Sequence, residues 1–398
     1  MRYIIEMEKK KVAEMSKFRE KEIKILKTLN LNGTLISVES EKDKDAVKKA
    51  TGAKEVYVDE KVKWIPDEDE ETEVKLIDTY KEINADKIHE EGITGENVIV
   101  GILDTGVDID HNCFEKAYHW WSFNDNFDNL HSHGTHVAGI VASNDYNYKG
   151  IAPNCTIYDF RVLDSEGYGY NSDIINAMWK AVEANCDVIN MSLGSDYPND
   201  GKDILCKQVN EVVNWGVVVV VAAGNSGGSG GSCGAPASAE KAITVGATMK
   251  GFDAVAYFSS YGGNYDYQKP EVCAPGTNVW SAVPNSRWAM YSGTSMAAPH
   301  ITGAIALIME LLWYIYEGYN TERIKDIIES CCDYMVEELP EKQGYGKINC
   351  EQFLEYIEIP EEPGPPEEPP EKPECPECPE TVGGCLKCAW QRFKEKFN

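Results

Sequence analysis

Four short stretches carry residue types that could break an acyl bond. YSGTSMAAPH at 291–300 places Ser295 among small residues, just ahead of the apolar run ALIMELLWYIY. HSHGTHVAG at 131–139 supplies His131, His133 and His136. ILDTG ends an apolar run on Asp104, and AAGNSG carries Asn225. A serine hydroxyl is a weak nucleophile until a base takes its proton. The problem is therefore which histidine and which acid belong with Ser295.

Groups so far apart in the chain need a rigid scaffold to gather them. From about residue 76 to 358 the segments NVIVGILD, TIYDFRVLD, CDVINMSL, GVVVVVAAG and AITVGAT are short, apolar on both faces and bounded by turn residues. Helical patterns lie between them: SDIINAMWKAVEAN, with Ser172 or Asp173 as its expected cap, and KDILCKQVNEVVNW. This alternation predicts an α/β fold, a mostly parallel sheet flanked by helices. Ligands of such sheets bind beyond the carboxyl ends of the strands. Asp104, Ser192-Leu193-Gly194 and Asn225 stand at three such ends.

Three arrangements compete. A metal site could use His131, His133 and His136. A zinc-protease helix, however, places histidines four apart with a glutamate between them, and His133 and His136 are three apart around Gly-Thr. A nucleophile elbow could be read from Gly293 to Ala297, but it requires acid and histidine to follow the serine. Only His300 follows, within the same helical pattern. The third arrangement is a triad in the order Asp104, His133, Ser295.

That order, and five motifs with it, resemble the subtilisin-like serine proteases. The motifs are DTGVDIDH at 104–111, HGTHVAG at 133–139, NMSLGS at 190–195, AAGNSG at 222–227 and GTSMAAPH at 293–300. The resemblance covers roughly residues 76–358 and implies a serine endopeptidase. His133 would be the base, Asp104 would orient and stabilise it, and Asn225 with the Ser295 N–H would hold the oxyanion. Polypeptide substrates would add as an extended strand between Gly167-Tyr168-Gly169 and Ser192-Leu193-Gly194. A side-chain pocket would lie between Ser192–Gly194 and Ala222–Gly224, open to a large apolar side chain. Gly293 would allow a tight turn before the nucleophile, Pro299 would fall harmlessly in the first helical turn, and Ser292 and His300 would be structural.

Residues 1–72 form a separate expectation, a small ferredoxin-like α+β unit. RYIIEM, GTLISVES and KEVYVDEKVKWI read as strands, VAEMSKFREKEIKILKTLN as one charged helix and DKDAVKKA as a short one. By resemblance this unit is a propeptide, an intramolecular inhibitor released by self-cleavage around residues 65–76, near the acidic run PDEDEETE. The peptidase-like unit would occupy 73–358, a Pro/Glu-rich spacer 359–374 and a Cys-rich tail 375–398. Cys375, Cys378, Cys385 and Cys388 have the spacing of a zinc knuckle, or would pair as disulfides outside the cell. The second functional reading is a permanently inhibited or scaffolding relative whose Cys-rich tail binds a partner.

The net charge of −28 over 398 residues argues against nucleic acid as a partner. No run of about 18 uncharged apolar residues is present, so no membrane span is expected. MRYIIEMEKKKVAEM has no signal-peptide pattern, which points to the cytoplasm, or to secretion if Met1 is not the natural start. Catalysis needs no cofactor. Calcium could be a structural ion, but the family's tight site is not expected: the loop SNDYNYKGIAP is short, and Cys113 replaces an expected aspartate. Cys233, in GGSCGAP, either packs or makes the pocket thiol-sensitive.

Overall fold

The computed structural model describes residues 1–15, 23–64, 79–128, 130–195, 199–227, 233–316 and 319–357. The spacer and the four tail cysteines, Cys375, Cys378, Cys385 and Cys388, lie outside these residues.

The first unit runs β1 (Arg2–Glu6), α1 (Lys9–Met15), β2 (Ile23–Thr28), β3 (Leu35–Ser40), α2 (Lys44–Thr51), β4 (Glu55–Val58) and β5 (Lys61–Lys63). Its antiparallel sheet has the order β2-β3-β1-β4, as in ferredoxin-like arrangements. The single helix expected over residues 12–30 is corrected. Ile23–Thr28 is a strand whose backbone ladders with β3, a long-range gain that outweighs helical spacing. The other departure is β5, which leaves this sheet altogether.

The second unit opens with α3 (Thr79–Glu82), α4 (Ala85–Glu90), β6 (Ile99–Asp104), β7 (Ala117–Ser122) and α5 (Ser132–Ala142). It continues with β8 (Thr156–Arg161), β9 (Tyr168–Tyr170), α6 (Asn171–Glu183), β10 (Val188–Met191), α7 (Ile204–Asn214) and β11 (Val218–Ala222). Then follow β12 (Ile243–Thr248), β13 (Val272–Pro275), β14 (Val279–Val283), β15 (Arg287–Tyr291), α8 (Thr294–Tyr316), α9 (Thr321–Ser330), β16 (Cys332–Asp333) and β17 (Lys347–Ile348). The nine-stranded sheet has the order β16-β17-β13-β12-β11-β10-β6-β8-β7 and is parallel except at β16–β17.

Both faces of that sheet are covered, and β11 shows why its sequence is uninterrupted valine. Val218 and Val220 enter a core shared with α5 and α8, whereas Val219 and Val221 enter the one shared with α6 and α7. Successive side chains of a strand point to opposite faces, so a strand buried on both sides needs apolar residues throughout. Thr294–Trp313 of α8 is long and apolar enough to cross a membrane by length and composition, as the core helix of a folded domain can be. The stretch up to Leu312 is buried inside the fold, and Trp313 at its end is half exposed. Its one charge, Glu310, accepts the backbone N–H groups of Thr94, Gly95 and Glu96 at 2.7, 2.6 and 3.0 Å.

The two units are docked. Ile4, Leu29, Leu35 and Trp64 of the first share the apolar cluster of α6 and α7. Neither Ser172 nor Asp173 caps α6, which begins at Asn171 with no side-chain cap of its own. Instead Asp59 of the first unit accepts the Ser172 N–H at 3.0 Å. Arg2 holds the other Asp59 oxygen at 3.2 Å, donates to Ser172 Oγ at 2.8 Å and lies 3.9 Å over the Tyr170 ring. Lys27 pairs with Asp173, and Lys61 with Asp164 at 2.7 Å.

Candidate active site

Because β6, β10 and β11 are adjacent and parallel, their carboxyl ends bring Asp104, Ser192–Gly194 and Asn225 to one edge. Asp104 is fully buried. Its Oδ1 accepts the Thr105 N–H at 2.7 Å, and its two oxygens lie 2.9 and 3.0 Å from His133 Nδ1. A carboxylate placed so fixes the imidazole plane and makes Nδ1 the protonated nitrogen, leaving Nε2 to act as a base.

His133 is the second residue of α5, and the DTG turn is laced to that helix start. Thr105 Oγ1 accepts the Gly134 N–H at 3.0 Å, while Thr135 Oγ1 accepts the Asp108 N–H at 2.9 Å. A Cβ on Gly134 would lie 2.4 Å from the Gly106 carbonyl oxygen, so only glycine permits this approach. The two motifs hold each other in register.

Ser295 stands at the start of α8, which packs against α5, β10 and β11. Its Oγ donates to the Ser192 carbonyl at 3.2 Å, and Ser192 Oγ donates to the Ser295 carbonyl at 2.8 Å. Asn190 Nδ2 donates to Ser192 Oγ at 2.9 Å, and Thr302 Oγ1 donates to Asn190 Oδ1 at 2.8 Å. Pro299 is not in the first turn as expected; it is the sixth residue of α8. Lacking an N–H, it cannot bond the carbonyl four residues back, which is that of Ser295. Ser192 satisfies that carbonyl instead.

Asn225 follows β11. Its Oδ1 accepts both the N–H and the hydroxyl of Thr294 at 2.9 Å, and Thr294 Oγ1 accepts the Gly224 N–H at 3.1 Å. With its oxygen so engaged, the amide presents Nδ2 on the Gly293 side. A Cβ on Gly293 would come within 3.2 Å of that nitrogen, so glycine keeps the donor clear. The α8 N-terminus adds partial positive charge at the same place.

The metal reading fails on geometry. His136 is fully buried, and its Nε2 faces the carbonyls of Val279 and Ala289, both at 3.1 Å. It must donate there, so that nitrogen holds no lone pair for a metal. No group of three or more metal-ligating side chains is present among the described residues. Cys233 and Cys113 are buried thiols, each pushed up to about 12 by desolvation.

Burial also lowers His136 to about 3 and His300 to about 4. Both are neutral in the folded chain and take up protons on unfolding below about 6.5. Over that window the unfolded chain binds more protons. Stability should therefore fall as pH drops from about 6.5 toward 4, by up to about 1.4 kcal/mol per pH unit for each histidine. Denaturant midpoints across this range are expected to decline, and His300→Gln to make the decline shallower. An unchanged slope in that variant would contradict the assignment.

On the walls, β5 pairs antiparallel with β9: Lys61 against Tyr170, Val62 against Gly169 and Lys63 against Tyr168. Trp64 continues the pairing. Its N–H donates to the Gly167 carbonyl at 2.9 Å, and its carbonyl accepts the Gly194 N–H at 3.4 Å. The two segments named from the sequence as walls thus have a strand of the chain itself between them. A Cβ on Gly194 would lie 4.0 Å from the Ala222 carbonyl, which places Gly194 beside the β11 end. Trp64, Asp59 and Thr294 were not singled out from the sequence. Thr294 lies within a quoted motif; Trp64 and Asp59 reveal themselves only through docking.

Residues 95–346 match the subtilase family, Peptidase S8. Subtilisin DY of Bacillus licheniformis is 42% identical over 277 residues, covering 68% of this chain and 95% of that one. The subtilisin of Bacillus pumilus is 38% identical over 261 residues, covering 64% of this chain and 90% of that one. Subtilisin NAT of Bacillus subtilis subsp. natto is 38% identical over 261 residues, covering 64% of this chain. The match spans 65% of the length of subtilisin NAT and of subtilisin E. The chain belongs to the subtilase family.

Proposed function

We propose that the chain is a serine endopeptidase acting through Asp104, His133 and Ser295, and that it is made as a precursor that cuts itself. The observation that carries this reading is the fully buried Asp104 carboxylate on His133 Nδ1, with Ser295 at the start of α8, the helix that packs against α5. His133 Nε2 takes the Ser295 proton as Oγ attacks the substrate carbonyl carbon. The oxyanion that forms is held by Asn225 Nδ2 and the Ser295 N–H. Collapse breaks the C–N bond, and the imidazolium gives its proton to the leaving amine. Water then repeats the sequence on the acyl-enzyme. No step needs a metal or cofactor.

The first unit is, on this reading, a propeptide. Support comes from β5 and Trp64 lying on the walls as an added strand, and from Asp59 capping α6. The cut is expected between residues 65 and 76, outside the described residues. Incubation with a serine-directed phosphonate tests the nucleophile: the wild type should be labelled at Ser295, and unlabelled Ser295 under turnover conditions would count against it. Asn225→Ala is expected to lower kcat by about 10²–10³ with little change in KM, the loss known for this donor in a subtilisin. A change confined to KM would remove Asn225 from the oxyanion role.

A further inference from the structure

We infer that the wall formed by Gly167–Gly169 and Gly194 contains a subsite that reads an indole, so that polypeptides with tryptophan at this place are preferred. The inference rests on the peptidase reading of the groove. Trp64 is only 5% exposed, although it directly follows β5, which pairs with β9 of the second unit. Its backbone is bonded to both walls, to Gly167 and to Gly194. Its indole Nε1 donates to the Gly169 carbonyl at 3.0 Å. One wall therefore reads backbone at Gly167 and side chain at Gly169, two residues on.

The ring is buried in the apolar cluster that holds Leu163, Ile174 and Leu193. The closeness of that floor is set by glycine. A Cβ on Gly169 would lie 2.6 Å from Leu163 Cδ2, 2.7 Å from the Val162 carbonyl and 3.7 Å from the indole Cδ1. A buried indole N–H needs an acceptor, and a buried carbonyl set to receive one discriminates against rings that cannot donate. Area alone would not separate tryptophan from phenylalanine so sharply. The neighbouring Lys61–Asp164 pair is half in solvent and adds little selectivity.

Peptides copying residues 60–70 test this directly, with position 64 as Trp, Phe, Leu, Ala or benzothienylalanine, whose sulfur replaces the indole N–H. Incubated with the wild-type chain, they should be cut with kcat/KM highest for Trp, about tenfold lower for benzothienylalanine and lower still for Ala. Equal rates for Trp, benzothienylalanine and Phe would overturn the indole assignment and leave a merely apolar pocket. If none is cut, the peptidase reading itself fails, and a measurement without turnover then decides the subsite. In the full chain carrying Ser295→Ala, Trp64→Ala should speed amide exchange across Tyr168–Tyr170 about tenfold or more, and Trp64→Phe should give part of that effect. Unchanged exchange in both variants would overturn the subsite.

Discussion

A chain carrying Ser295→Ala is expected to stay full-length over a time course in which the wild type divides near residues 65–76. Its turnover of peptides should fall by about 10⁶, the scale seen when the serine or histidine of a subtilisin is removed. The size of the effect follows from the division of labour. Without Oγ no acyl-enzyme forms, and the Asp104–His133 pair has nothing to deprotonate except water. Structure should be little disturbed. The Ser295 hydroxyl makes a 3.2 Å bond to the Ser192 carbonyl, and losing one such bond costs about 1 kcal/mol. The backbone clasp from Ser192 Oγ to the Ser295 carbonyl survives the substitution. A denaturing gel with mass spectrometry of the bands, beside an unfolding curve, separates the outcomes. If the variant divides as the wild type does, Ser295 is not the nucleophile.

Asp104→Asn should cost about 10⁴ in kcat while leaving the fold in place. The Thr105 N–H at 2.7 Å fixes which end of an asparagine amide lies where. Its oxygen would stay on Thr105 at the Oδ1 place, 2.9 Å from Nδ1, and its NH₂ would take the Oδ2 place, 3.0 Å from the same nitrogen. A donor so close to Nδ1 opposes a proton there and favours the tautomer with the proton on Nε2, and a protonated Nε2 cannot take the Ser295 proton. The measurement is kcat and KM across pH with an unfolding midpoint. Activity within tenfold of wild type at a preserved midpoint would remove Asp104 from the mechanism.

Much of the second unit was legible because its signals are local. Uninterrupted valine in β11 announces burial on both faces, and turn residues mark the strand ends where Asp104 and Asn225 lie. The motif order then selects one arrangement of acid, base and serine. What stayed hidden depends on contacts between distant segments. Ile23–Thr28 is a strand because β3 pairs with it, and nothing within its own spacing says so. Residues 171–173 begin a helix without a cap because Asp59, more than a hundred residues earlier, supplies one. Trp64 sits in a stretch whose local pattern shows only a short strand, so its bonds to two walls could not be foreseen.

Pro299 has a wider consequence. By withholding one N–H it turns the Ser295 carbonyl into a free acceptor, and Ser192 fills it from the wall on which a peptide would lie. On the proposed reading, substrate grip and reactive-group alignment share one residue. Evolution of selectivity along Ser192–Gly194 is not independent of rate: a change that widens the groove also loosens the serine. Variation should be tolerated more readily on the Tyr168 side, which on that reading would hold the peptide without touching the nucleophile.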